Sequence, residues 1–169
     1  MNGVRPAASD SARQRAWDAA AAVCDPEIPV LTIADLGVLR AVSIGPDGRA
    51  EASITPTYSG CPAMNVIAFE VEAALLRAGF ERPRVTLTLS PAWTTDWMSA
   101  EGRRKLLEYG IAPPQPGAGR RALFAVEAIA CPRCASTATE EISEFGSTAC
   151  KALWRCLACR EPFDYFKCL

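Results

Sequence analysis

The metal and thiol chemistry of this 169-residue sequence depends on eight cysteines, because the chain contains no histidine. Four of the cysteines form two C-x-x-C pairs, CPRC at 131–134 and CLAC at 156–159, with 21 residues between the pairs. Each pair can direct two thiolates at one ion, and two pairs complete the tetrahedral site that zinc prefers. The spacing therefore predicts a metal site formed by Cys131, Cys134, Cys156 and Cys159. A rubredoxin-like iron centre would use the same ligands, whereas surface cysteine pairs or redox dithiols would hold no metal.

A four-cysteine site leaves no coordination position open, so we expect its metal to be structural rather than catalytic. The surrounding module is too short to fold on apolar burial alone, and metal binding would supply the missing free energy. Cys150 and Cys168 lie outside the two pairs. Cys150 falls on a predicted strand, where a free cysteine is usually buried. The spacing gives no support to a second metal shared by Cys150 and Cys168.

A further cysteine, Cys61, lies in the stretch TPTYSGCPAMN at 55–65. Pro62 fits the first position of a helix, so the Cys61 thiol is expected at or next to the helix N-cap. Unpaired N–H groups and the helix dipole at that end favour a thiolate, which predicts a lowered thiol pKa. The opposite interpretation is a small buried cysteine at a bend.

Three carboxylates in the loop DPEIPVLTIADLG at 25–37 could face this thiol. They are Asp25, Glu27 and Asp35. Residues of these types in a loop are more often capping or solvated groups, so both interpretations stay open at this point.

Composition excludes several classes of function. Without histidine there can be no Ser-His-Asp triad, no Cys-His dyad and no His-ligated metal. A net charge of −1 and a pI of about 5.6 give no electrostatic footprint for nucleic acid or for an anionic membrane. No nucleotide-binding glycine loop is present. The polar N-terminus has no signal-peptide pattern, so we expect a cytoplasmic protein, and its chemistry argues against an enzyme.

The elements that must position these residues follow from periodicity and turn signals. Alternation over 37–55, interrupted by the turn GPDG, predicts a β-hairpin. Residues 63–78 repeat apolar side chains at helical spacing, and RVTLTLS at 84–90 predicts a strand with Val85, Leu87 and Leu89 on one face. Helices are also predicted over about 11–23 and 99–109. The fold class is therefore α+β, a small α-β-β-α-β-α two-layer domain followed by a four-cysteine zinc ribbon.

Four segments are expected along the chain, and a proline- and glycine-rich stretch marks the linker between the two folded modules. They are a flexible tail at 1–11, an α+β domain at 12–110, the linker at 111–122 and the ribbon at 123–169.

The motifs DPEIPVLTIADLGVLR (25–40) and TPTYSGCPAMNVI (55–67) resemble those of the SufT-like iron–sulfur maturation domain. The continuation SPAWTTDWMSAEGRRKLLEYGIAPP (90–114), together with both C-x-x-C pairs, is similar to the D subunits of bacterial phenylacetyl-coenzyme A epoxidase systems. This second resemblance covers nearly the whole chain.

The resemblance implies an accessory protein that assists iron–sulfur cluster assembly or repair in the system's iron–sulfur flavin reductase. It places the family's reactive cysteine on Cys61, in transient contact with iron or a cluster, and its acidic loop on Asp25, Glu27 and Asp35. Zinc is the implied structural metal. The oxygenase subunits and a second copy of the chain are further candidate partners. Nucleic acid and membranes are not expected partners.

Two other hypotheses remain open on sequence alone. In the first, the chain is a non-catalytic structural subunit of the oxygenase complex, and Cys61 is a packing residue. In the second, CPRC cycles as a dithiol in a thiol oxidoreductase, which requires that its cysteines are not locked on a metal.

Overall fold

The computed structural model describes residues 7–58, 60–115 and 128–167. The chain divides into two compact units between Ala92 and Trp93, and each unit has its own β-sheet. The mixed α+β class predicted from the sequence is confirmed. Among the described residues, no helix combines the length and the apolar character needed to cross a bilayer.

The first unit contains two helices and a three-stranded sheet. Its elements are α1 (Ala7–Ala21), β1 (Leu39–Ile44), β2 (Ala50–Ile54), α2 (Ala63–Arg77) and β3 (Arg84–Leu87). Strand β2 lies in the middle, antiparallel to β1 and parallel to β3. Because parallel neighbours require a crossover, α2 connects β2 to β3. The segment that carries Cys61 is the first half of this crossover.

Alternation and helical spacing account for the core of this unit. Ala50, Ala52 and Ile54 of β2 are buried, while Glu51 on the other face is exposed. Along α2 the buried residues recur every three or four positions, as an amphipathic helix requires. They are Ala63, Met64, Ile67, Val71, Ala74 and Leu75. The start of α1 at Ala7 lies inside the segment predicted as a tail, since Ala7 and Ala8 are strong helix formers.

Strand β3 departs from its predicted pattern. Leu87 and Leu89 are 56% and 64% exposed, and Val85 is half-buried. Among the described residues β3 pairs with β2 alone and forms one edge of the sheet. Alternation identified the strand, but it could not show that the helices leave this edge uncovered.

The second unit combines a helix with a four-stranded sheet. Its elements are a 3₁₀ turn (Thr95–Trp97), α3 (Ala100–Tyr109), β4 (Ile111–Ala112), β5 (Thr139–Ser143), β6 (Lys151–Cys156) and β7 (Pro162–Phe166). The strands follow the order β4-β7-β6-β5, with β4 parallel to β7 and the other pairs antiparallel.

Helix α3 belongs to this second unit, although the sequence grouped it with the first module. Ser99 caps the helix by accepting a hydrogen bond from the Gly102 N–H at 2.8 Å. The Arg103 guanidinium donates to the carbonyl oxygens of Thr95, Met98 and Pro114, and so connects the helix to the chain on both sides. The first two residues of the predicted linker form β4, and its residues 116–122 lie outside the described part.

Candidate metal centre and thiol site

The four cysteines of the C-x-x-C pairs converge on one point in the second unit. All four Sγ atoms lie within 4.8 Å of one another. Sγ of Cys131 is 3.7 Å from Sγ of Cys159, and Sγ of Cys134 is 3.5 Å from Sγ of Cys156. Four sulfurs bonded tetrahedrally to zinc at about 2.3 Å are about 3.8 Å apart. The donor set and its spacing therefore fit a zinc ion.

The two turns that present these sulfurs have the same backbone geometry. In each turn the residue after the second cysteine has a left-handed φ, 59° at Ala135 and 69° at Arg160. In each turn that residue also donates its N–H to the carbonyl oxygen of the first cysteine. The Cys159 N–H donates to Sγ of Cys156 at 3.4 Å, and such backbone N–H donors lower the pKa of the Cys156 thiol to about 6. A thiol that ionises readily is a good zinc ligand.

The metal centre is part of the ribbon's small core. Cys131 and Cys156 are buried in a cluster with Ala112, Ile129 and Phe163. Half-buried Trp154 and Tyr165 pack against this cluster, with their rings in an edge-to-face arrangement 6.1 Å apart. A bound zinc would hold both turns together with no position open to substrate, so its contribution is structural. Cys150 is buried, as predicted, and Cys168 lies outside the described residues.

The second thiol site is Cys61 in the first unit. Helix α2 begins at Ala63 with Pro62 as its N-cap, so Cys61 lies immediately before the cap. The Cys61 N–H donates to the Tyr58 carbonyl at 3.3 Å, and the Cys61 carbonyl accepts from the Met64 N–H. Gly60 has a φ of +85°, which favours glycine, and it completes the turn. The Cys61 side chain is half-buried and reachable from solvent.

The pKa of the Cys61 thiol is raised above its ordinary value of 9.0, so the predicted lowering is wrong. Burial is the main cause, and the negative charges of Glu27 and Asp25 add to it. The Ala63 N–H at the helix start and the Tyr58 hydroxyl both donate to the sulfur and lower the pKa, as expected at a helix N-terminus. Burial and the two negative charges outweigh these hydrogen bonds, so the net effect is a raised pKa.

Two of the three carboxylates of the acidic loop, Asp25 and Glu27, raise the pKa of the Cys61 thiol, whereas Asp35 bonds within its own turn. Asp25 Oδ1 accepts from the N–H groups of Glu27 and Ile28 at 2.8 and 2.9 Å, which shapes the loop. Asp35 is buried, and its Oδ2 accepts from the N–H and the hydroxyl of Thr32 in its own turn.

Tyr58 is a site residue that sequence reasoning missed. Its hydroxyl donates to the Cys61 sulfur, three residues farther along the chain. The only available signal was a phenol inside the motif TPTYSGCP, and a tyrosine before a turn more often packs against its neighbours than contacts a thiol.

The electrostatics of the Cys61 site favour a metal cation over a thiolate nucleophile. Burial, Glu27 and Asp25 raise the pKa of the Cys61 thiol, so the thiolate is disfavoured at neutral pH. The same carboxylates that disfavour a thiolate attract a cation, and a metal that binds the sulfur displaces its proton.

Comparison with known proteins identifies two domains in this chain. Residues 13–87 match the family model of an iron–sulfur cluster assembly protein, and residues 115–167 match that of the PaaD zinc beta ribbon domain. A protein of Escherichia coli (strain K12), named as the D subunit of 1,2-phenylacetyl-CoA epoxidase, is 53% identical over 153 residues, which are 90% of this chain and 91% of the relative. The chain belongs to the PaaD family of epoxidase subunits.

Other relatives match a smaller share of this PaaD family member. A protein of Porphyromonas gingivalis (strain ATCC BAA-308 / W83), named Fe-S protein maturation auxiliary factor, is 37% identical over 53% of this chain and 82% of its own length. A crystallised domain of unknown function from Bacillus anthracis has a TM-score of 0.56 and 23% identity, over 60% of this chain and 97% of its own. It shows that the PaaD family member contains that domain's fold. The PaaD family thus joins an iron–sulfur assembly domain to a zinc ribbon.

Proposed function

We propose that this chain is an accessory maturation factor of a phenylacetyl-CoA epoxidase system, rather than an enzyme. It assists assembly or repair of the iron–sulfur cluster in the system's reductase subunit. Cys61 contacts iron or the cluster transiently, and Asp25 and Glu27 stabilise the positive charge of that cargo. The zinc ribbon is architectural.

One observation carries this proposal: a reachable thiol lies in the field of two carboxylates at the start of a helix. A packing cysteine would gain nothing from charged neighbours, which cost free energy when they are partly desolvated. A nucleophilic cysteine would instead need neighbours that lower its pKa. Transient binding of a cationic cargo requires both the sulfur and the negative charge, and the names of the Escherichia coli and Porphyromonas gingivalis relatives support this function.

The two competing hypotheses have less support. Dithiol cycling through CPRC requires free thiols, whereas the four ribbon sulfurs are spaced to hold one zinc ion. A purely structural subunit would not explain why a reachable thiol lies in the field of two carboxylates.

The test is the cluster content of the reductase in cells that carry Cys61→Ser. The control is Ser43→Ala, which changes an exposed residue of β1 in the same unit, outside the loop that carries Cys61. We expect Cys61→Ser to lower the iron and acid-labile sulfide content of the purified reductase several-fold, and Ser43→Ala to leave it unchanged. Zinc in both variants should equal the wild-type value. Normal cluster content with Cys61→Ser would overturn the proposal.

A further inference from the structure

A groove of about 450 Å³ runs between α1 and α2 in the first unit. Small or apolar side chains form its floor, among them Ala19, Ile67 and Ala74. Its rim is open to solvent because Cys24, Val66, Glu70 and Arg77 are all exposed. An open groove with a floor of small residues accepts side chains from an approaching segment more readily than it encloses a small molecule.

The groove extends along one side of α2. Val66, Glu70, Ala74 and Arg77 recur at intervals of four, four and three residues, so they lie on one stripe of the helix. Eleven residues of helix correspond to about 16 Å. About five residues of extended chain cover that distance.

The groove carries charges of both signs, and those of Glu70 and Arg77 lie at different points along α2. Asp25 and Glu70 contribute two negative charges, and Arg77 contributes a positive charge about 10 Å beyond Glu70 along the helix axis. A segment with a lysine or arginine at one end and an apolar residue in the middle complements this pattern. Such complementarity fixes direction and register in addition to affinity.

The groove shares one residue, Asp25, with the surroundings of the Cys61 thiol. Asp25 lines the groove and also raises the pKa of the Cys61 thiol, and Val66 lies one turn into the helix that Cys61 precedes. A segment bound here is therefore held beside Cys61. That placement is what transfer of a cluster between two proteins requires, because the donor and acceptor sulfurs must meet.

We propose that this groove docks a short segment of the client reductase, with an apolar side chain on the floor between α1 and α2 and a basic side chain against Asp25 and Glu70. The proposal rests on the maturation function proposed above. It assigns client recognition to a surface distinct from the sulfur that contacts the cargo.

The test measures the affinity of the full-length chain for the purified apo-form of the iron–sulfur reductase by calorimetry. Val66→Glu adds a charge on the rim, and its matched control, Phe69→Glu, changes a 66% exposed residue of the same helix outside the groove. We expect Val66→Glu to weaken binding at least tenfold and Phe69→Glu to leave it within twofold of wild type. Glu70→Lys should also weaken binding, while Glu72→Lys, which lies outside the groove, should not.

A second readout locates the contact without changing the groove. Cys24 is exposed and lines the groove, so in the Cys61→Ser background its alkylation by iodoacetamide should slow several-fold when apo-reductase saturates the chain. An unchanged Cys24 rate, or equal affinities for Val66→Glu and Phe69→Glu, would overturn the docking proposal. Absence of binding by the wild-type chain would do the same.

The outcomes separate the two proposals. Cys61→Ser is expected to bind apo-reductase with wild-type affinity and to fail in cluster delivery. If Cys61→Ser delivers clusters normally while Val66→Glu binds weakly, the maturation role fails and the docking groove stands. If Cys61→Ser fails in delivery and all groove variants bind like wild type, the docking groove fails and the maturation role stands.

Discussion

The balance of charge around Cys61 predicts how its alkylation rate depends on pH. Iodoacetamide reacts with the thiolate, so the rate follows the ionised fraction. Because burial, Glu27 and Asp25 raise the pKa of the Cys61 thiol, the rate should keep rising from pH 6 to 8 without a plateau. Mass spectrometry of the Cys61 peptide after timed quenching gives this rate separately from those of the other thiols.

Two substitutions should shift the pH dependence of the Cys61 alkylation rate in opposite directions. Glu27→Gln removes a negative charge that disfavours the thiolate, so the pKa falls and the rate at pH 8 rises. Tyr58→Phe removes a donor that stabilises the thiolate, so the pKa rises and the rate at pH 8 falls. Glu51→Gln, an exposed change on β2, serves as the control and should leave the profile unchanged.

A plateau below pH 8 in the wild-type chain would refute this reasoning. It would mean that the helix start outweighs burial and the two carboxylates. The same result would remove the argument that the site is built for a cation, because a thiolate nucleophile would then be available at neutral pH.

Three further predictions concern the second unit. Cys156→Ser should abolish zinc binding, measured by elemental analysis, and should unfold the ribbon while α1 and α2 keep their helical circular dichroism. Arg103→Ala leaves three carbonyl oxygens without their donor. It should therefore lower the free energy of unfolding, measured by urea titration, by about 3 kcal/mol. The control, Arg104→Ala at an exposed residue, should leave the urea midpoint near that of wild type. Asp164→Ala removes the carboxylate that lies 3.7 Å from the buried Lys151 ammonium. It should lower the free energy of unfolding at pH 7 by about 3 kcal/mol, measured by the same titration. No change would show that water already satisfies the lysine.

Much of the fold could be predicted because its signals are local. The Asp47-Gly48 turn, the apolar spacing of α2 and the two C-x-x-C pairs each concern a few neighbouring residues. Local patterns also identify which residues carry chemistry, since a thiol next to a helix start is visible in a single stretch of sequence.

What could not be predicted depends on distant parts of the chain. The Cys61 pKa is raised by the burial of the sulfur and by the charge of Glu27, which is 34 positions away in sequence. Helix α3 belongs to the second unit because of the hydrogen bonds of Arg103 and because of β4. The pairing of β4 with β7 joins residues about 50 positions apart. Periodicity reports which side of an element is apolar, but not which other element covers that side.

The protonated state of Cys61 has a consequence for the protein's durability in an aerobic cell. Hydrogen peroxide attacks thiolates far faster than thiols, and sulfinic and sulfonic acids form irreversibly once that attack proceeds. Burial and the charges of Glu27 and Asp25 all disfavour the thiolate of Cys61, so they slow this oxidation of an otherwise reachable sulfur.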